Sequence, residues 1–568
     1  GMTYAAILRS PHAHARIKSI NVEKAKAHPG VVGVFTGADL TGRVVPTAWN
    51  IPASDLKTPP HPALAVDTVR HVGDGVAVVV AEDRYTAEDA LELIEVEYEP
   101  LPATVNAEAA TKEGAPQVHD DVPNNQAFHW KLAAGEIDKA FQEADVVVKQ
   151  RLINNRVIPT AIEPRAAIAQ YDANMGELTV WSTSQNPHIA RFLFSALLAL
   201  PEHRIRVIAP DVGGGFGSKI SFYADELIVA HLAMALGRPV KWTETRRENY
   251  LATTHGRDHI TEVELAAKRD GTLLGLRGTT YANMGAYLST AAPGVPTILH
   301  GLVLPGAYRL PAVDYDVYGV FTNTTPVDAY RGAGRPEATY IIERMVDVLA
   351  RELGLDPVEV RRKNFIPADQ FPYTTVTAII YDSGNYEGAL NKALEIFDYQ
   401  GFRQEQARLR QEGRYLGVGF STYLEICGLA PSRVAGAVGF GGGLWEGADV
   451  RVSPTGKILV AVGTSPHGQG EEIAFAQIVA EELGISVDDV EVLHGDTART
   501  PMGWGTYGSR TAAVSGPAIL LAARKVKEKA RKIAAHLLEA AEADMEFEAG
   551  KFYVRGSPDR AKTFQEVA

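Results

Sequence analysis

Residues 211–219 read DVGGGFGSK. Three consecutive glycines, a phenylalanine, a fourth glycine and a lysine make a loop that is costly in backbone entropy. Something must come too close to this main chain for side chains to be tolerated. The loop does not fit a phosphate-cradling P-loop, because Ser218 and not glycine precedes Lys219, nor a dinucleotide fingerprint, because the third glycine is missing at the required spacing. Its flanks read as a strand over 205–209 and a helix over 220–236, a setting in which backbone N–H groups converge on an anion. A tight turn that permits close packing is the plainer reading. Two further donor-rich loops lie far away in sequence: AYRGAGRPEA at 329–338, with Arg331 and Arg335 around a flexible centre, and GWGTYGSRTAAVSGPA at 503–518 ahead of a helix. Arginine offers a rigid fork of donors suited to carboxylates, phosphates and polarised oxygens. Three such loops call for one large anionic ligand.

The elements that must position these loops repeat. From residue 178 the pattern gives a strand (178–181), a polar loop (182–188), a helix (189–200) and a strand (205–209). The same order returns as a strand (458–462), a loop (463–470), a helix (471–483) and a strand (490–493). The first loops, STSQNPH and TSPHGQG, share Ser, Gln, Pro and His, which would place Gln185 and Gln469 at related positions in two similar domains facing one ligand. Between the copies a helix is expected over 337–353, with Ile341, Met345, Leu349 and Leu353 on one face and Gly354 as its stop. Asp356 and Pro357 start another. Toward the N-terminus, residues 76–81 read as a buried strand and 86–89 as a helix start, while 95–102 and 107–126 read as boundary and linker. The chain thus divides into an α/β unit at 1–106, a linker at 107–132, and units at 133–365 and 366–568.

With 46% hydrophobic and 22% charged residues the 568-residue chain is of ordinary globular composition. A net charge of −13 argues against a nucleic-acid partner. The apolar stretch at 192–200 is about half of the roughly 20 residues that a bilayer crossing needs, so no membrane span is expected. The N-terminus lacks the order of a secretory signal, and a cytoplasmic location follows. One cysteine, Cys427, excludes an internal disulfide, a thiolate zinc site and an iron–sulfur cluster ligated within these residues. Cys427 itself is expected to be buried. His12 and His14 lack a third ligand, so no metal site is assigned. Glu163 and Arg165, around Pro164, read as a local ion pair, and GFGGG at 439–443 as a substrate-side loop or a tight connection. No H-E-x-x-H, G-x-S-x-G or cysteine-nucleophile setting occurs.

DVGGGFGSK, AYRGAGRPEA, SPHGQGEE and GTYGSRTAAVSG, in this order, resemble the molybdenum-binding large subunit of the xanthine dehydrogenase, aldehyde oxidase and aerobic carbon monoxide dehydrogenase family, the molybdenum hydroxylases. ILRSPHAHARI and HVGDGVAVVVAED resemble that family's small hammerhead domain. The resemblance implies a mixed α/β (α+β) fold, an N-terminal α/β hammerhead domain followed by two similar molybdopterin-binding domains. It implies molybdopterin, in its cytosine dinucleotide form, as the ligand whose approach the glycines admit. On this resemblance Gly214, Gly215, Phe216 and Gly217 line the metal centre, the Phe216 amide lies near a metal oxygen, and Gln185 bonds the apical oxo group. Arg331 faces the substrate. His467, Gly468 and Gln469 hold the pterin, while Thr506, Tyr507, Gly508, Ser509 and Arg510 hold the dinucleotide. No protein atom ligates the metal.

The implied reaction is hydroxylation with water as the oxygen source, with electrons leaving through an iron–sulfur small subunit and an FAD medium subunit, since neither centre belongs to these residues. Gln185→Ala is then expected to lower turnover without unfolding the protein. Gly332 stands where carbon monoxide enzymes carry a copper-binding cysteine, and Ile220 where purine-oxidising members carry a glutamate. The resemblance therefore disfavours carbon monoxide and purines and leaves an aldehyde or an N-heterocycle. The family's catalytic glutamate lies in a late Gly-x-Gly-Glu-type motif that these residues do not reach, so the chain is expected to be truncated at both ends relative to the family. A second polypeptide would supply that part, the alternative being a non-catalytic cofactor-binding fragment.

Overall fold

The structure, a computed structural model, describes residues 1–40, 42–45, 51, 55–429 and 431–568. Its fold is mixed α/β. The apolar run GVAVVVA forms the strand Gly75–Ala81, buried over six of its seven residues. It lies between Thr3–Arg9 and Val31–Thr36 in a seven-stranded sheet, and a strand inside a sheet covered on both faces needs apolar side chains in both directions. Val78 and Val80 pack toward the helices Pro187–Leu198 and Ala224–Leu236, while Ala77, Val79 and Ala81 pack with Ala87 and Ala90 of the helix Arg84–Leu91. Thr3–Arg9 also pairs in parallel with Val240–Thr243, Tyr4 opposite Lys241. The first two units inferred from sequence therefore share one continuous sheet.

At that junction a buried cluster of charges replaces the local pair expected between Glu163 and Arg165. Arg165 reaches Asp225 at 2.8 Å and Glu244 at 2.7 Å, and Arg9 reaches Asp225 at 2.6 Å. Burial pushes the Asp225 carboxyl up, but the two guanidiniums outweigh it and hold the group at about 2. Glu163 instead meets Lys219 at 2.9 Å. The segment expected to be a boundary also proves structured: Glu95–Pro100 is a strand paired with Ala15–Asn21. The period-two alternation of EVEYEP is the signature of a half-buried strand. Within the expected linker, Asn106 caps the short helix Ala107–Ala110.

A five-stranded sheet carries the largest core, and the helix Arg335–Leu353 buries Ile341, Met345 and Leu349 in it. Gly354 ends that helix in the left-handed conformation, and Asp356 caps the helix Pro357–Asn364 that follows.

The sequence repeat is a repeat of topology. Glu177–Ser182 and Ile205–Ile208 are parallel neighbours joined by the helix Pro187–Leu198, as Ile458–Val462 and Val490–Leu493 are joined by Glu471–Leu483. An antiparallel strand precedes each unit, Ala166–Asp172 in one and Ala448–Val452 in the other. The connecting loops differ in length. Gln185 lies three residues beyond its strand and Gln469 seven, so the residue that corresponds to Gln185 at the strand exit is Ser465. The exit loop of the second unit adds to the edge of the seven-stranded sheet. Ala209 N–H donates to Gly495 O at 2.8 Å, Thr497 N–H to Val207 O at 3.0 Å, and Arg206 meets Asp496 at 2.6 Å. This joint brings both glycine-containing exit loops to one edge. No helix among the described residues is long and apolar enough to cross a membrane.

Candidate cofactor site

Where the two units meet lies a cavity of about 1000 Å³, at the upper end of ordinary ligand sites. Its wall contains Gln185, Phe216, Gly217, Arg331, His467, Gly468 and Gln469, together with all of Thr506, Tyr507, Gly508, Ser509 and Arg510. Segments separated by up to 325 residues are thus brought together, as three loops around one ligand require. Gly214 and Gly215 are not among the residues that line the cavity.

The glycine loop is shaped first by protein. A Cβ on Gly215 would lie 2.5 Å from Gln185 Oε1, and one on Gly217, at φ +107°, would lie 2.3 Å from Ala329 O. Close packing, the plainer reading, therefore accounts for these two glycines. Gln185 is the centre of the arrangement. Its Oε1 accepts from Gly217 N–H at 3.0 Å and Lys219 N–H at 3.3 Å, and its Nε2 donates to Thr506 O at 2.8 Å. Thr506 N–H returns a bond to Gln185 O at 2.9 Å, and Ser465 N–H donates to Thr506 Oγ1 at 3.1 Å. One buried carboxamide thereby stitches the first glycine loop to the last.

Phe216 takes a positive φ of 57° and is 40% exposed, turned into the cavity. Arg331 N–H donates to Phe216 O at 2.8 Å, and its guanidinium lies 5.9 Å over the Phe216 ring. The Arg331 guanidinium has no carboxylate within ion-pair distance among the described residues and is left for a ligand. Arg510 is different. Its side chain is fully buried, bonded to Glu446 and to the carbonyls of Gly505 at 2.6 Å and Leu444 at 2.8 Å. Its guanidinium is committed to the fold and only its position walls the cavity. Glu446 escaped the sequence reading, although GWG carries its trace: a Cβ on Gly503 would lie 2.1 Å from Glu446 Oε2. Glu471, read in sequence as part of the SPHGQGEE motif and not as a base, bonds within that motif. Its Oε1 accepts from Gln469 Nε2 at 2.9 Å while Gln469 Oε1 accepts from His467 N–H at 2.6 Å. Burial, reinforced by Glu472 and opposed by the Thr511 hydroxyl, raises the Glu471 carboxyl to about 7. Burial lowers the His467 imidazole, so that ring is neutral.

Cys427 is exposed, not buried. It lies on an irregular segment where alternate residues turn outward: Leu424 and Ile426 pack on the main core, while Tyr423 and Cys427 face solvent. His14 Nδ1 bonds Pro102 O at 2.8 Å, and the His12 ring lies tilted against Tyr98 with centroids 4.8 Å apart. Arg335 pairs with Glu425 at 2.7 Å, and Glu337 faces Arg257 at 3.7 Å. Part of the GFGGG segment, 439–442, lines the cavity.

The residues present fit a large polar anion. The amide N–H groups of Phe216, Gly468, Gln469, Tyr507, Gly508 and Ser509 make no hydrogen bond to any described residue, and His467 Nδ1 and Trp504 Nε1 are buried without a partner. The six amides belong to exposed or half-buried residues and are open to a ligand, whereas a buried polar atom without a partner, as at Trp504 Nε1, is rare and costly. Gly468 has open space beyond its Cα at φ +110°, which leaves its backbone bare toward the cavity.

Comparison with known proteins agrees. An aldehyde oxidase and xanthine dehydrogenase a/b hammerhead domain matches residues 1–102, and molybdopterin cofactor-binding domains match 118–365 and 392–568. The carbon monoxide dehydrogenase large chain of Afipia carboxidovorans is 40% identical over the whole of this chain and 72% of its own length. The 6-hydroxypseudooxynicotine dehydrogenase complex subunit gamma of Paenarthrobacter nicotinovorans is 37% identical over all of this chain and 70% of its own. The structure of quinoline 2-oxidoreductase from Pseudomonas putida 86 superposes with a TM-score of 0.94 at 39% identity, covering 100% of this chain and 72% of that one. The chain belongs to the molybdenum hydroxylase family, as a molybdopterin-binding large subunit. The likeness to carbon monoxide dehydrogenase runs against the expectation that Gly332 disfavours that substrate.

Proposed function

We propose that this chain holds molybdopterin in its cytosine dinucleotide form and acts as the molybdenum-bearing subunit of an enzyme that hydroxylates an N-heterocycle or an aldehyde with water as the oxygen source. The observation that carries the reading is the set of unpaired amides, from three distant loops, facing one cavity. When bound, the cofactor supplies a redox-active metal at which oxygen derived from water passes to a substrate carbon.

The chain's own residues then divide the work. Gly468 and Gln469 present amides to the pterin, with Glu471 fixing the Gln469 carboxamide. Tyr507, Gly508 and Ser509 present theirs to the dinucleotide phosphates, held in register by Thr506. Phe216 would present its amide to the metal end of the cofactor, and Gln185 sets the height of that loop. Arg331, lying over Phe216, faces the substrate. Leu299, Leu302, Phe440 and Leu444 give the substrate side an apolar wall suited to a flat uncharged molecule. Ile220 also lines the cavity and offers a purine no acceptor or donor. Electrons leave through an iron–sulfur small subunit and an FAD medium subunit. The relatives named as a large chain and as one subunit of a complex support an assembly of several subunits.

Carbon monoxide oxidation is the second reading, favoured by two carbon monoxide dehydrogenase large chains at 40% and 41% identity. Position 332 argues against it. Gly332 adopts φ +102°, and a Cβ there would lie 2.3 Å from Pro336 Cγ, so this backbone leaves no room for a thiolate side chain. Dye-linked oxidation by the cofactor-loaded protein separates the readings. Quinoline or benzaldehyde is expected to reduce the dye and carbon monoxide is not. Reduction by carbon monoxide alone reverses the assignment, and activity that appears only with added polypeptides marks the chain as the cofactor-carrying part.

A further inference from the structure

Residues 414–429 run without regular structure past the start of the helix Arg335–Leu353. Three neighbours in this segment grip two residues of the cofactor loop. Ser509 Oγ donates to Glu425 Oε1 at 3.3 Å, Gly428 N–H donates to Ser509 O at 3.2 Å, and a Cβ on Gly508 would lie 2.7 Å from Leu429 Cδ1. The same Glu425 oxygen ion-pairs with Arg335 Nη2 at 2.7 Å. Arg335 is 4% exposed, its Nε and Nη1 have no partner, and Glu425 is the carboxylate that pairs with it among the described residues. The Glu425 side chain is about a third exposed, but removing it would leave the buried guanidinium without its counter-ion, which couples the two groups. Ser509 needs such a hold, because it sits at φ 53°, a left-handed conformation that an L residue other than glycine adopts at a cost.

We propose that Glu425 is a positioning residue that clamps the 506–510 loop to the start of the Arg335–Leu353 helix, keeping the free amides of Tyr507, Gly508 and Ser509 turned toward the cavity. The inference rests on the cofactor reading of that loop. It assigns the Ser509 hydroxyl to the protein and leaves the Ser509 amide for the ligand. It also links the arginine-bearing 329–338 segment, on the substrate side, to the loop that holds the distal part of the cofactor. Arg335 forms part of the wall of the main cavity and of a second one of about 530 Å³, so the clamp sits where the two adjoin.

Hydrogen–deuterium exchange of the cofactor-free full chain, with molybdenum per chain measured on protein from a molybdate-replete host, tests the clamp. Glu425→Gln is expected to speed exchange at Thr506, Arg510 and Gly428 at least tenfold, leave the sheet amides unchanged, and lower molybdenum content at least threefold. Ser509→Ala leaves the Arg335–Glu425 pair intact and is expected to loosen the same amides by a smaller factor, which decides the matter should Glu425→Gln fail to fold. The exchange of charges in R335E/E425R is expected to restore protection to within twofold of wild type. Unchanged exchange at those amides in both single variants, or a rise spread over the whole chain, overturns the proposal. Wild-type protein without molybdenum would remove the cofactor reading, while the exchange pattern would still decide whether the clamp exists.

Discussion

Gln185 commits most of its carboxamide to protein, its Oε1 to two loop amides and one Nε2 N–H to Thr506 O, and the second Nε2 N–H has no bond to a described residue. Removing a buried side chain that satisfies several main-chain groups costs on the order of 1–3 kcal/mol for each group stranded. The expectation that Gln185→Ala lowers turnover without unfolding the protein therefore gains a stability cost. Gln185→Ala is expected to lower unfolding free energy by roughly 3 kcal/mol and to reduce cofactor content, measured by urea unfolding and by metal analysis; an unchanged unfolding midpoint would mean that the loops are joined by other contacts. Glu471 makes a pH-dependent prediction. Its carboxyl rises from an ordinary 4.5 to about 7 on folding, so the folded chain binds that proton more tightly. The resulting stabilisation is fully present below about 4.5 and is lost as pH rises through about 7. Between pH 5 and pH 8 the wild-type chain should lose more stability than Glu471→Gln, and equal losses in denaturant titrations would contradict the assignment. At this scale Gln185, Arg331 and the glycines were legible in sequence because they sit in loops bounded by clear strand and helix signals. Glu446 and Glu425 were not, because they belong to irregular segments without periodicity, and their partners Arg510, Arg335 and Ser509 are distant in sequence.

The duplicated strand–helix–strand unit was readable as element order, since buried β-branched strands and amphipathic helices announce themselves by period. Loop length was the part misread, and it moved the counterpart of Gln185 from Gln469 to Ser465. Edge pairing was also invisible: nothing in the sequence around Asp496 says that its loop docks on the strand Ile205–Ile208. Burial pushes the Asp496 carboxyl up, but its bonds to Arg206 and the Ala498 N–H outweigh this and lower it. That joint carries a two-pronged contact, with Arg206 Nε at 3.0 Å and Nη2 at 2.6 Å. Asp496→Ala should cost about 1–3 kcal/mol and weaken cofactor retention at a site it does not touch. Chemical unfolding together with metal content checks both, and loss of stability with full metal retention would show that the joint does not position the loops.

Across the whole molecule the hammerhead sheet continues into the sheet that carries the glycine loop, and the second repeat docks on the far edge of the same sheet. The segmentation at 95–102 misjudged a strand as a boundary because its charges outweighed its alternation. The cavity arises where these parts converge, and its walls are loops anchored on the sheets behind them. The central claim is that these converging amides hold a molybdopterin. The direct measurement is metal and pterin analysis of the full chain purified from a molybdate-replete host. The account requires close to one molybdenum and one pterin per chain, with a cytidine nucleotide released on acid hydrolysis. Protein that is folded, retains the cavity and carries neither molybdenum nor pterin would contradict it.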